Sequence, residues 1–154
     1  MKRIISAIVL IGVLAALLCA CGKEAKPLKD IYNEIIDKYQ VEEMLEISEK
    51  DLKKHYGIDA ADLKEFACGV NKTGVSQEEI IMIQANDADK AEQIAEKLND
   101  HRTSKMNQQK NYNAEQYAII EKSEVKTDGN YVSLFISENA AGMREDYEKA
   151  IGVK

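Results

Sequence analysis

No charged residue occurs between Ile4 and Ala20, and that feature decides which part of the chain has to fold in water. Met1-Lys2-Arg3 precedes the run and Cys21 follows it. Its length, about 17 residues, lies at the short end of what spans a hydrocarbon core of roughly 30 Å. A positive start, a short apolar stretch and a small residue before the break form the pattern of a secretory signal peptide. Lys2 and Arg3 would stay on the cytoplasmic side during insertion. An uncleaved transmembrane helix and a signal peptide removed without further modification are the competing readings.

The end of the run is more specific. Leu18-Cys19-Ala20-Cys21 resembles the lipobox of bacterial lipoproteins, in which a small residue precedes the cysteine that receives lipid. A thiolate at Cys21 can be alkylated to a thioether by a diacylglyceryl donor, and cleavage would then fall between Ala20 and Cys21. The resemblance implies a chain carrying palmitate-like acyl groups on the extracytoplasmic face of a cell membrane. Two acyl chains hold a protein stably where one does not. The expected organisation is therefore a signal peptide at 1–20, a lipidated tether at 21–26 and a single globular domain at 27–154.

Charge and cysteine content narrow the domain further. Removing residues 1–20 takes away Lys2 and Arg3, leaving the mature chain two charges more negative than the −6 of the whole. An acidic surface argues against nucleic acid and against electrostatic adsorption to anionic lipid. With Cys19 discarded and Cys21 acylated, Cys68 has no intramolecular partner. Phe66-Ala67-Cys68-Gly69-Val70 alternates like a strand, so Cys68 reads as a small buried apolar residue.

The periodicities alternate between helix and strand. Pro27 opens an amphipathic helix over 27–39, with Leu28, Ile31, Tyr32, Ile35 and Tyr39 on one side. Ser48-Glu49-Lys50-Asp51 has the form of a capping box for a short helix that buries Leu52 and Tyr56 and ends at Gly57. Strands are expected at 65–71 and 78–85, the second central because Ile80-Ile81-Met82-Ile83 is apolar on both faces. Asp87 or Asp89 caps a long helix to about Lys110, apolar only in its first half. A helical or irregular stretch at 114–121, a strand at 123–127, an Asp128-Gly129 turn, a strand at 131–137 and a helix at 139–151 complete the chain. The expected fold class is α+β: a four-stranded antiparallel sheet with helices packed mainly on one face, arranged as two successive strand–strand–helix units after N-terminal helices.

No catalytic or metal set emerges from the residues, and no cofactor is expected. His55 and His101 lack metal-ligand spacing and read as capping or surface residues. Asn86-Asp87-Ala88-Asp89 fails the calcium-loop pattern and is better explained by helix capping. Glu42, Glu43 and Glu46 read as a solvated acidic face. Phosphate loops and the nucleophile elbow are missing. The polar half of the long helix, with His101, Arg102 and Lys105, is the candidate partner surface, set against a plain solvated helix face.

Leu52-Lys53-Lys54-His55-Tyr56-Gly57-Ile58-Asp59, Gln77-Glu78-Glu79-Ile80, Tyr112-Asn113-Ala114-Glu115-Gln116-Tyr117 and Gly129-Asn130-Tyr131-Val132 together resemble the bacterial lipoproteins grouped as domain of unknown function 4358. Ala114 departs from that pattern, where members often carry proline. The resemblance implies a localisation and a size, and it carries no activity. The functional expectation is a non-catalytic binding or accessory module of the cell envelope, contacting an envelope protein, with oligomeric state left open. A small-ligand capture lipoprotein serving an importer is the alternative, and an envelope hydrolase ranks third.

Overall fold

The computed structural model describes residues 25–153. The expected signal peptide, its cleavage at Ala20 and the lipidation of Cys21 lie outside the described residues. Helix α1 spans Leu28–Tyr39, followed by strand β1 at Met44–Glu46. A turn of helix, α2 at Glu49–Asp51, runs directly into a π-helical turn at Leu52–Tyr56. A 3-10 turn at Ala60–Asp62 leads into β2 at Leu63–Asn71 and β3 at Glu79–Ala85. Helices α3 at Ala88–Gln109 and α4 at Ala114–Lys122 follow. The chain then forms β4 at Val125–Asp128, β5 at Tyr131–Ile136 and α5 at Ala140–Ala150.

The sheet corrects the expected fold class. It has five strands, not four, in the order β1-β2-β3-β5-β4, with every neighbouring pair antiparallel. The fifth strand is β1, whose three residues are too few to show an alternation in sequence and follow the acidic pair Glu42-Glu43. Its pairing is fixed instead by β2, with Leu45 opposite Val70.

Helices cover both faces of the sheet, again unlike the expectation. On one face Ile80, Met82 and Phe135 meet Leu28, Ile31 and Ile35 of α1 and Met143 and Tyr147 of α5. On the other, Ile81, Ile83, Val132, Leu134 and Ile136 meet Ala91, Ile94 and Leu98 of α3, Ile120 of α4 and the π turn. Successive strand residues point to opposite sides, so a central strand apolar at every position needs cover on both. β3 is that strand, and Ile80, Ile81, Met82 and Ile83 are all fully buried.

Local chemistry starts the helices, as expected at Ser48 and Asp87 and, at the stretch left open as helical or irregular, through Asn113. Ser48 and Asp51 complete a capping box, Asp87 caps α3 by accepting from the Lys90 N–H at 2.8 Å, and Asn113 caps α4. Pro27 supplies no cap to α1. Glu65 of β2 does so instead, accepting the Leu28 N–H at 2.6 Å.

The molecule has two distinct ends. Lys26 donates its N–H to the Ala150 carbonyl, so the chain enters the domain beside Glu65 and the end of α5. The β2–β3 connection lies at the opposite end, about 20 Å away along β2 at roughly 3.3 Å per residue.

Candidate functional site

Glu79, the first residue of β3, is fully buried beneath α3. It points to the same face as Ile81 and Ile83, where period-two alternation would otherwise place a third aliphatic side chain. Three groups converge on its carboxylate. The Tyr56 hydroxyl donates to Oε1, His101 Nε2 lies 3.1 and 3.0 Å from the two oxygens, and Lys105 Nζ is 3.2 Å from Oε2. Lys105 also donates to the Gln77 carbonyl at 3.1 Å.

Each partner is positioned by its element. His101 and Lys105 stand one turn apart on α3 and continue the stripe of Ile94 and Leu98, so they meet the sheet where an apolar residue would. Tyr56 ends the π turn, whose wider winding buries both Leu52 and Tyr56. Gly57 then adopts φ 68°, a left-handed cap that favours glycine. Lys97 of α3 donates to the Gly57 carbonyl at 2.9 Å and fastens the turn to the long helix. The Tyr56 and His101 rings pack with centroids 4.5 Å apart.

The electrostatics follow from that geometry. Burial alone would raise the Glu79 carboxyl, but the His101 hydrogen bond, the charge of Lys105 and the Tyr56 hydroxyl hold it below its ordinary value. Burial, then the neighbouring Glu79 charge, drives the Tyr56 hydroxyl well above the usual phenol range. An ionised carboxylate only accepts, so His101 presents Nε2–H to Glu79. Nδ1 has no hydrogen-bond partner among the described residues.

Above this cluster lies a groove of about 350 Å³. It is lined by the aliphatic Leu45, Ile47 and Val70, by Asp51, His55 and Tyr56 from the short helical turns, and by Glu79, His101 and Lys105; Glu46 touches it from β1 but pairs with Lys29 of α1. His101 and Lys105 keep 22% and 16% of their side-chain surface, against 1% for Glu79. An occupant would therefore touch the histidine and the lysine directly and the carboxylate only through them.

The expected partner surface of His101, Arg102 and Lys105 is divided. His101 and Lys105 turn inward to the groove. Arg102 turns the other way, donating to Ser123 Oγ at 3.0 Å and to the Glu121 carbonyl at 2.7 Å, and ties α3 to α4. His101 is thus a partner of a buried carboxylate and not a surface histidine. His55 is exposed, on the groove wall. Cys68 is buried as expected, and burial pushes its thiol up to about 12. Glu79 and Tyr56 are the site residues that the sequence reading passed over. One signal for them existed: an ionisable residue in phase with the inward positions of an apolar strand, matched by polar residues on the inward stripe of a helix.

No group of three His, Cys, Asp or Glu side chains is set to hold a metal among the described residues. No described helix is long and apolar enough to cross a membrane. A family model described as Domain of unknown function (DUF4358) matches residues 37–137, a span that contains all five strands and every residue of the Glu79 cluster. No curated protein matches the chain, and no solved structure does.

Proposed function

The chain belongs to the domain of unknown function 4358 family, whose membership confers no activity, and we propose from its own residues that it is an extracytoplasmic lipoprotein whose domain is a non-catalytic binding module. In this reading Cys21 carries the lipid and the groove above Glu79 is the recognition site. The observation that carries the binding role is a fully buried carboxylate with three partners, placed directly under an open, half-aliphatic groove. Buried ionic groups add little stability relative to apolar packing and recur where a surface must be held in one shape.

The layout of the fold supports the same reading. Ala25 and Lys26 stand at one end of the domain, and Glu79 and Lys105 lie toward the other. A tether at residues 21–26 would leave the groove facing away from the lipid leaflet, open to a partner in the envelope. The acidic charge of the chain gives no help to membrane adsorption, so the lipid would act alone.

Two measurements test the proposal. Cys21→Ser should release the protein from membranes and remove the mass of the acyl groups; sedimentation with membranes at unchanged mass defeats the lipoprotein reading. A photo-crosslinking side chain at Leu45, on the groove wall, should capture a defined protein in intact cells, while one at Val153, at the tether end, should not. Capture at position 153 alone defeats the groove as the recognition site.

A further inference from the structure

Resting on the groove as the recognition site, we propose that its occupant is the C-terminal end of a partner protein, with the terminal carboxylate on Lys105 beside the His101 ring and aliphatic final side chains against Val70, Ile47 and Leu45. The juxtaposition of a spare hydrogen-bond donor with uncovered aliphatic surface in one groove carries the inference.

What the groove leaves unanswered is a donor. An ammonium carries three N–H groups. Lys105 directs two of them to the Gln77 carbonyl and to Glu79, and the third has no partner among the described residues. The side chain lines the groove with 16% of its surface open, so an occupant can reach that N–H.

The acceptors around the groove are already engaged. Glu79 is 1% exposed and holds three partners. Asp51 accepts from the Ser48 N–H at 3.3 Å and from its hydroxyl at 2.6 Å. Glu46 pairs with Lys29 at 2.5 Å on the α1 side of the sheet. His55 and His101 complete the ionisable lining. An occupant bringing a donor would find no open acceptor, whereas one bringing an acceptor completes Lys105. A carboxylate is the acceptor that gains most, because its bond to an ammonium is charge-assisted.

The aliphatic lining fixes the rest of the occupant. Leu45 is 58% exposed and lies opposite Val70, which lies opposite Glu79 on its other side. Those three residues cross β1, β2 and β3, a width of about 10 Å at roughly 4.8 Å per strand spacing. Two or three extended residues cover it, at roughly 3.3 Å each. A space of about 350 Å³ holds about a dozen water-sized groups at roughly 30 Å³ each. That suits a terminal leucine or isoleucine with part of the residue before it, and it is too small for a long-chain fatty acid. An internal segment of a partner would fill the space but offer only neutral carbonyls. Capture of a chain terminus by its carboxylate is an established mode of peptide recognition.

The test uses the purified full-length chain in detergent micelles and a labelled hexapeptide of glycine and serine ending in valine-leucine. Fluorescence anisotropy should show saturable binding below about 1 mM. Amidating the C-terminus should weaken it at least about tenfold, the size of one charge-assisted hydrogen bond. Leu45→Asp, at an exposed position, should weaken it about tenfold, and Asp51→Asn, which removes a carboxylate from the path of an anion, should tighten it about two- to fivefold. Amide resonances of Val70 and Lys105 should move on binding and that of Val153 should not. Equal binding of the amidated peptide, no binding of the free acid at about 1 mM, tighter binding of octanoate than of the peptide, or shifts confined to another segment would each overturn the proposal. A Leu45 crosslink to an internal segment of a partner also overturns it while leaving the groove reading intact, whereas crosslinking at Val153 alone removes both.

Discussion

Replacing Glu79 by glutamine should destabilise the protein strongly, and the size of the effect follows from who surrounds the carboxylate. The carboxylate is fully buried, and Glu79→Gln leaves Lys105 near it with 16% of its side-chain surface to reach solvent. Removing one partner of a fully buried ion pair costs about 3–5 kcal/mol. Here the amide still accepts from Tyr56, and Lys105 can swing outward, so the expected loss is lower, about 2–3 kcal/mol. Lys105→Met should cost a similar amount, because Glu79 then keeps only His101 and Tyr56. The double variant should cost at least about 1 kcal/mol less than the two losses added together, since each single change already breaks the same pair. Urea unfolding of the three variants and the parent measures this through the midpoint at constant slope. Single losses below about 0.5 kcal/mol, or strict additivity within about 0.3 kcal/mol, would refute the buried-pair account.

The pH dependence of stability has a defined sign. The Glu79 carboxyl sits below its ordinary value of 4.5 in the fold, so the unfolded chain binds more protons there and stability falls as pH drops below about 4.5. Unfolding midpoints of the parent minus those of Glu79→Gln should show that fall, and a difference flat in pH would contradict it. Cys68, buried with its thiol pushed up to about 12, should resist a thiol reagent at pH 8 until denaturant is added; rapid labelling of native protein contradicts its burial. Gly69 faces the Tyr32 hydroxyl so closely that an added Cβ would lie 2.1 Å from it. Gly69→Ala should cost about 1–3 kcal/mol, in part relieved by Tyr32→Phe. Tyr32→Phe by itself should be neutral or slightly stabilising, because that buried hydroxyl has no hydrogen-bond partner among the described residues; a loss above about 1 kcal/mol would show a partner.

Where a segment is long enough to express a period, its sequence announces its structure. The apolar stripe of α1, the capping box before Leu52, the Asp87 cap of α3 and the Asp128-Gly129 turn with φ 59° at Gly129 are all local signals, and each element forms where its signal lies. β1 is the counterexample. Three residues carry no period, and only the ladder with β2 makes them a strand. The two-sided cover was half legible: Ile80-Ile81-Met82-Ile83 demands apolar neighbours above and below, a demand that helices on a single face do not meet.

The candidate site shows the same division. His101 and Lys105 continue an apolar helical stripe and Glu79 falls in phase with the inward positions of β3, but nothing local in the sequence says that these positions meet. Arg102, adjacent in sequence, points to α4 because a helix turns about 100° per residue. Periodicity, capping and turn chemistry are properties of neighbouring residues, so sequence alone determined α1, α3, α5, the longer strands and the seclusion of Cys68, while it left 114–121 open between helix and irregular chain. The meeting of Tyr56, Glu79, His101 and Lys105 spans three elements far apart along the chain. Only tertiary packing decides it, because the carboxylate is buried and satisfied where α3, carrying His101 and Lys105, and the π turn, carrying Tyr56, both pack on the start of β3.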